Sequence, residues 1–252
     1  MDHKLSVVII TLNEEENIGR CIDSVKEIAD ETVVVDSFSK DNTKAIATAK
    51  GARVMERAFT NYIDQKNFAQ AQAANDYVLN IDADECLSTE LLQNIMAEKQ
   101  RGFAADAYSM NRLNFYCGKP VKTCGWYPDK KLRLWNRQKV CWTGGVIHEK
   151  PNVPAESRIL HLPGDLLHYS FPTKESLIMQ CDKFAAMAAL QLKSKGRAYL
   201  IYKLVLSAPF KFIRNYFFKL GFTDGLAGFT ICYNQGREVF LKYYRALKLK
   251  NK

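Results

Sequence analysis

Over residues 5–84 the chain alternates between short β-branched runs and segments with helical spacing, and this alternation restricts the fold more than any other feature. LSVVIIT (5–11) is an uninterrupted apolar run, as a strand covered on both faces should be. Ile18, Cys21, Ile22, Val25 and Ile28 follow at helical spacing, and Asn13 with Glu16 has the form of a capping box. ETVVVD (31–36) reads as a second strand and DNTKAIATAKG as a helix closed by Gly51. ARVMER reads as a third strand, YIDQKNFAQAQAAN as a helix and DYVLNIDAD as a fourth strand. Strands and helices alternating at this length predict a parallel sheet with helices on both faces. After residue 105 the pattern changes to aromatic-rich strands and loops of antiparallel character, and from Thr173 onward it is helical. The expected division is an α/β domain over 1–171 and a basic helical region over 172–252.

Charge is uneven along the chain. From Pro172 to Lys252 there are 15 Lys/Arg and 4 Asp/Glu, a net of +11 against +9 for the whole chain, which leaves residues 1–171 at −2. Basicity confined to one end argues for a local patch facing anionic lipid, phosphate or RNA, and against a protein that coats nucleic acid. Seven cysteines without a CxxC pair exclude a full disulfide framework within one chain, argue against zinc and fit a reducing compartment. The opening MDHKLSVVIITLNEEE runs into a strand; its apolar part is too short for a signal sequence and lacks a small-residue cleavage site.

AYLIYKLVLSAPFKFIRNYFFKLGF (198–222) is apolar but interrupted by Lys203, Lys211, Arg214 and Lys219, with Leu204 to Phe210 its longest uncharged piece, so it does not predict a membrane span. Pro209 predicts a kink or a division. Helical spacing gathers Lys203, Ser207, Lys211 and Arg214 and leaves Phe, Tyr, Leu and Ile elsewhere, the pattern of a helix lying on an anionic leaflet. Helices packed on the first domain with solvated lysines fit the same composition.

In an open α/β sheet, ligands bind beyond the carboxyl ends of the strands. Three polar clusters fall at such ends: Thr11–Glu14, Asp36–Ser37 and Asp82–Asp84. Asp82 and Asp84, two apart on a strand, are expected on one side, where they repel unless a cation or strong donors neutralise them. Mg2+ or Mn2+ suits oxygen ligands and leaves positions for phosphate oxygens. A simpler role also fits, because Ser88-Thr89-Glu90 just beyond has the form of a helix start. Asp36 with the Thr11–Glu14 loop outlines a pocket for a base and ribose.

SVVIITLNEEENIGRCIDSV, ETVVVDSFSKDNT and YVLNIDADE, in this order and spacing, resemble the family 2 glycosyltransferases of GT-A fold. DKKLRLWNR, WTGGVIHEK, LLHYSF and FFKLGFTDGLAGF are similar to the bacterial lipopolysaccharide-core β-glycosyltransferase branch. The resemblance implies a GT-A catalytic domain over 1–171, a Rossmann-like mixed sheet flanked by helices, with a membrane-associating helical appendage over 172–252. It implies inverting transfer of a sugar from a nucleotide-sugar, UDP-linked, to a lipid-linked envelope glycan such as lipopolysaccharide core. The place implied is the cytoplasmic face of the inner membrane, on an anionic surface, with no nucleic acid partner. The nucleotide would be held by Thr11, Asn13, Glu14 and Asp36, the ribose by Asp82, and a Mg2+ or Mn2+ bridging the diphosphate by Asp84. Gln65, Lys66 and Asn67 lie where the family often contacts the nucleotide, although Lys66 equally suits a solvated surface.

Inverting transfer also needs a carboxylate base on the acceptor side. Glu149, beside His148 in GGVIHEK, is that candidate, with an ion pair to a nearby Lys or Arg as its other role. His148 and His168 compete to complete the metal shell. Arg133 and Arg137 are candidates for phosphate, and Trp126, Tyr127, Trp135 and Trp142 for sugar stacking or ordinary core. Two other functions use a similar α/β sheet or surface. A sugar-nucleotide pyrophosphorylase needs a Gly-rich basic loop after its first strand, where this chain has TLNEEEN. A non-catalytic membrane-binding adaptor that keeps the fold gives Asp82, Asp84 and Glu149 no reason to be present.

Overall fold

The computed structural model describes residues 3–145 and 148–249, the side chain of His148 excepted. In chain order the first elements are β1 (Leu5–Thr11), α1 (Ile18–Val25), β2 (Glu31–Asp36), α2 (Thr43–Ala49), β3 (Arg53–Glu56) and α3 (Tyr62–Ala71). Then come β4 (Tyr77–Asp82), β5 (Glu85–Leu87), α4 (Thr89–Gln100), β6 (Ala107–Tyr116), β7 (Lys119–Pro120) and β8 (Asp129–Asn136). The last are β9 (Cys141–Gly145), β10 (His148–Asn152), β11 (Ile159–Phe171), α5 (Lys174–Gln191), α6 (Arg197–Ile213) and α7 (Gly225–Leu249). These elements form two compact units, Met1–Leu113 with Asp129–Tyr169, and Asn114–Pro128 with Ser170–Lys252.

The first unit is built on a mixed sheet in the order β3-β2-β1-β4-β8-β6-β11-β5. Its first four strands are parallel. β8 then runs antiparallel to β4, and β6 antiparallel to β8. β9 and β10 make a separate antiparallel ribbon with Glu149 opposite Gly144. Alternate residues of β1 go to opposite faces, which is why its whole run is apolar. Leu5, Val7 and Ile9 pack with Ile18, Ile22 and Val25 of α1 and Leu91 and Ile95 of α4. Val8 packs on the other face with Val33, Val35, Val78, Ala69 and the indoles of Trp135 and Trp142. A curled mixed sheet clad by helices is the architecture that the GT-A resemblance implied.

Helix starts follow local chemistry. Ser88 caps α4 by accepting the Leu91 N–H at 3.2 Å, and Gly51, at φ 84°, closes α2. The capping box expected at Asn13 and Glu16 does not form. α1 begins only at Ile18, whose N–H, like that of Asn17, bonds the Glu14 carbonyl. Asn13 instead adopts φ 54°, which Asn tolerates better than most residues, and its side-chain carbonyl accepts the Lys40 N–H at 2.9 Å.

In the second unit α5 and α6 both pack against α7. One cluster joins Val121, Cys124, Leu177, Cys181, Ile231 and Cys232; another joins Ala189, Leu200, Tyr243 and Ala246. Pro209 does not divide α6. It lies on an exposed face, and the irregularity comes later, as one π-helical turn at Arg214–Phe218. Gly221 and Gly228 approach so closely that a Cβ on Gly228 would lie 1.8 Å from the Gly221 carbonyl oxygen. Among the described residues no helix is long and apolar enough to cross a membrane.

Candidate active site

Register brings the polar strand ends level: Thr11 lies beside Asp36, and Ile10 beside Asp82. Thr11 is buried and its hydroxyl has no partner among the described residues, as a group awaiting a ligand or water would be. Asp36 is fully buried and accepts both the N–H (2.7 Å) and the hydroxyl of Ser39. Ser39 Oγ in turn accepts the Asn13 N–H at 2.8 Å, so Asp36 and Asn13 hold the loops after β1 and β2 to each other. Glu14 donates its N–H to Thr43 Oγ1 at 2.8 Å, and its carboxylate accepts from Asn17 Nδ2 at 2.7 Å. Burial, with repulsion from Asp84 and Asp41, raises the Glu14 pKa despite the Asn17 bond.

Asp82 ends β4 inside a cage of cations. Its Oδ1 stands 3.1 Å from Lys66 Nζ, and its Oδ2 accepts from Arg133 Nη2 at 2.9 Å. Arg133 Nη2 also reaches Glu85 Oε1 at 2.6 Å, and Glu85 Oε2 accepts the Asp82 N–H at 3.0 Å. Burial alone would raise the Asp82 pKa, but Lys66 and Arg133 outweigh it and hold the carboxyl well below the usual range. Lys66 is therefore not a solvated surface lysine. It is buried, lies 3.6 Å from Glu149 Oε1 and sits 4.5 Å over the Trp142 ring. Glu149 thus takes the ion pair as well as its place on the ribbon.

β4 stops at Asp82, and Ala83-Asp84 form a turn, so strand alternation does not carry across to Asp84. The two acids keep separate company. Asp84 Oδ2 lies 3.1 Å from His168 Nε2, while the Asp84 carbonyl accepts the Tyr169 N–H at 2.9 Å. Pairing of β11 with β5 sets His168 opposite Glu85, which delivers the imidazole to this turn.

The donor set around Asp84 fits a hard divalent cation. Asp84 Oδ2 and His168 Nε2, 3.1 Å apart, are the groups that would hold such an ion. Among the described residues no cluster of three or more His, Cys, Asp or Glu ligands exists. A Mg2+-type ion held by one or two protein groups plus substrate phosphates needs none.

The structure thus gathers Lys66, Asp82 and Glu149 in one group, Asp84 and His168 in a second, and Thr11, Asn13, Glu14 and Asp36 in the adjoining loops. The His148 side chain lies outside the described residues, although its backbone pairs with Gly145. Arg133 is committed to Asp82 and Glu85 rather than turned to a phosphate. The backbone N–H of Arg137 donates to the Asp76 carbonyl, which sets this residue at the far end of β4 from Asp82. Trp135 and Trp142 are core: their rings meet edge to face at 5.2 Å, and their N–H groups bond Gln70 and Asn80. Gln65 and Asn67 serve the scaffold, Gln65 donating to Ser37 and Asn67 pairing both ways with the Trp142 backbone. Glu85 was not given a role from the sequence, although its place directly behind the two aspartates was the available signal.

The profile of glycosyl transferase family 2 matches residues 6–149. A Rickettsia typhi protein described as an uncharacterized glycosyltransferase is 33% identical over 263 residues, covering 99% of this chain and 89% of its own. The lipopolysaccharide core biosynthesis glycosyltransferase LpsC of Rhizobium meliloti is 31% identical over 240 residues, covering 89% and 85%. Among solved structures, glucosyl-3-phosphoglycerate synthase from Mycobacterium tuberculosis, in complex with Mn2+, UDP and glucosyl-3-phosphoglycerate, aligns at a TM-score of 0.47 with 20% identity. That alignment covers 68% of this chain and 73% of the synthase.

Proposed function

This chain belongs to glycosyl transferase family 2, and on that premise we propose that it is an inverting, metal-dependent hexosyltransferase. It takes a UDP-linked sugar as donor and a lipid-linked envelope glycan, such as lipopolysaccharide core, as acceptor. It works peripherally at the cytoplasmic face of the inner membrane, where the basic residues of 172–252 meet anionic lipid. The observation that carries this reading is the convergence of Lys66, Asp82 and Glu149 beside the Asp84–His168 pair, at the carboxyl ends of β1 and β4. The lipopolysaccharide assignment of LpsC supports the acceptor class.

In this mechanism Thr11, Asn13, Glu14 and Asp36 form the nucleotide loops, the buried Thr11 hydroxyl being free to bond the base or ribose. Asp84 and His168 would hold a Mg2+ or Mn2+, which would supply charge stabilisation to the departing diphosphate. Glu149 takes the proton of the attacking acceptor hydroxyl. Lys66, between Asp82 and Glu149, keeps the donor side and the base side in register. Arg133 and Glu85 fix Asp82 from below.

UDP release from UDP-hexoses, with and without Mn2+, tests this. The enzyme releases UDP only with metal, faster when a lipid-linked glycan is added, and Glu149→Gln stops the acceptor-dependent part. A non-catalytic adaptor releases none under any condition.

A further inference from the structure

Resting on the membrane location proposed above and going beyond it, we infer that the helical unit grips the bilayer by burying an apolar surface. That surface comprises the outward stripes of α6 and α7 and the turn between them. α6 turns Tyr202, Leu206, Phe210 and Ile213 to solvent at helical spacing, and α7 does the same with Leu226, Phe229, Tyr233 and Phe240. In the turn Phe217, Phe218, Leu220 and Phe222 are exposed as well, and Phe218 and Leu226 keep 78% and 81% of their surface open.

Near the turn the inner side of the same hairpin is close-packed on small residues, and farther along Leu200 of α6 packs with Tyr243 and Ala246 of α7. Gly236 meets the Ala208 carbonyl so closely that an added Cβ would lie 3.3 Å from it, and Gly228 abuts Gly221. Asn215, nearly fully buried, bonds Gln235. A helix pair in water hides its large apolar side chains and shows its polar ones. The helices bury apolar residues between them and still leave this many large ones outside, which suits a lipid surface.

The charge around the stripes selects the lipid. Between Arg197 and Leu249 there are nine Lys/Arg and two Asp/Glu, which complements an anionic leaflet. Lys203 lies 5.8 and 5.9 Å over the rings of Tyr199 and Tyr202, and Lys248 4.7 Å over Tyr244. Such Tyr–Lys pairs present an apolar body with a charged tip, as residues at a headgroup boundary do. No described helix can span the bilayer, so the hairpin lies in the interface with its turn inserted deepest.

The full chain is sedimented with phosphatidylcholine vesicles containing phosphatidylglycerol, at low and high salt, beside a Phe217→Ser, Phe218→Ser, Leu226→Ser triple variant. Wild type stays bound at high salt, and the triple variant partitions about a hundredfold more weakly at either salt, as three partly buried side chains would dictate. Unchanged far-ultraviolet circular dichroism and unchanged UDP–Mn2+ binding establish that the variant is folded. In a Phe218→Trp variant the added emission is quenched by brominated lipid. Wild-type binding that vanishes at high salt, with the triple variant equal to it at low salt, overturns apolar insertion while leaving the membrane location standing. Wild type that ignores the vesicles altogether overturns both; if it then dimerises through Phe218 in sedimentation velocity, the surface belongs to a second copy of the chain.

Discussion

His168 places its Nε2 3.1 Å from Asp84 Oδ2, although the two residues come from β11 and from the turn after β4. If the pair is a half-formed cation site, His168→Ala lowers Mn2+-dependent UDP affinity about 10- to 100-fold in calorimetry. UDP binding without metal stays as it was. An equal loss with and without Mn2+ means that the imidazole only braces the turn.

Lys66 serves Asp82 and Glu149 at once, and replacing it tests whether that double contact matters. In Lys66→Met, Asp82 keeps Arg133 but Glu149 loses its cation. The fold should lose about 1–3 kcal/mol in urea denaturation, less than for a charge left wholly unpaired. Activity falls much further, by about a hundredfold in kcat/KM, because both sides of the site shift. A variant with lost stability and normal kcat/KM would confine Lys66 to the scaffold.

Arg133 is the floor of the site, and Arg133→Met strands Glu85, whose side chain is fully buried, with only Arg112 at 3.6 Å. With Arg112 still near Glu85 and Lys66 on Asp82, the cost is about 3 kcal/mol at neutral pH. Its pH dependence follows from the depressed Asp82 pKa. A lowered folded-state pKa contributes stability that is complete above the unfolded value of about 3.9 and fades as pH falls through the lower folded value. The Asp82 part of the gap between wild type and Arg133→Met is therefore complete above about pH 4 and fades below it. Urea midpoints above and below that pH check it.

Burial on both faces is written into single strands, which is why LSVVIIT and ETVVVD were legible from the sequence alone. The polar residues at their ends were legible too, because a strand that stops beneath a ligand must change character. The partners were not. Arg133 meets Glu85 and Asp82 only because β8 pairs antiparallel with β4, and alternation does not specify that order. Asp82 and Asp84 look equivalent in the sequence, and a turn beginning at Ala83 separates their roles. Lys66 reads equally as a nucleotide contact and as a surface lysine, because the α3 sequence has no distinct apolar stripe. Its burial comes from the β9–β10 ribbon, whose Trp142 and Glu149 lie against it. The α6 stripe was visible as spacing, but only the packing against α7 identifies the side that carries no protein.

Ionising Glu14 carries a cost. Burial, joined by repulsion from Asp84 and Asp41, raises its pKa, with the Asn17 bond opposing. A raised carboxylate pKa has the opposite sign to that of Asp82: the contribution to stability is complete below the unfolded value of about 4.3 and is lost as pH rises through the folded one. Glu14→Gln removes that penalty, and its amide oxygen can still accept from Asn17. The melting temperature should rise at neutral pH and change by almost nothing near pH 4. If Glu14 meets the nucleotide, the same substitution weakens UDP binding in the presence of Mn2+. A stabilised protein with unchanged UDP affinity would leave Glu14 as a brace between the β1 loop and Thr43 alone.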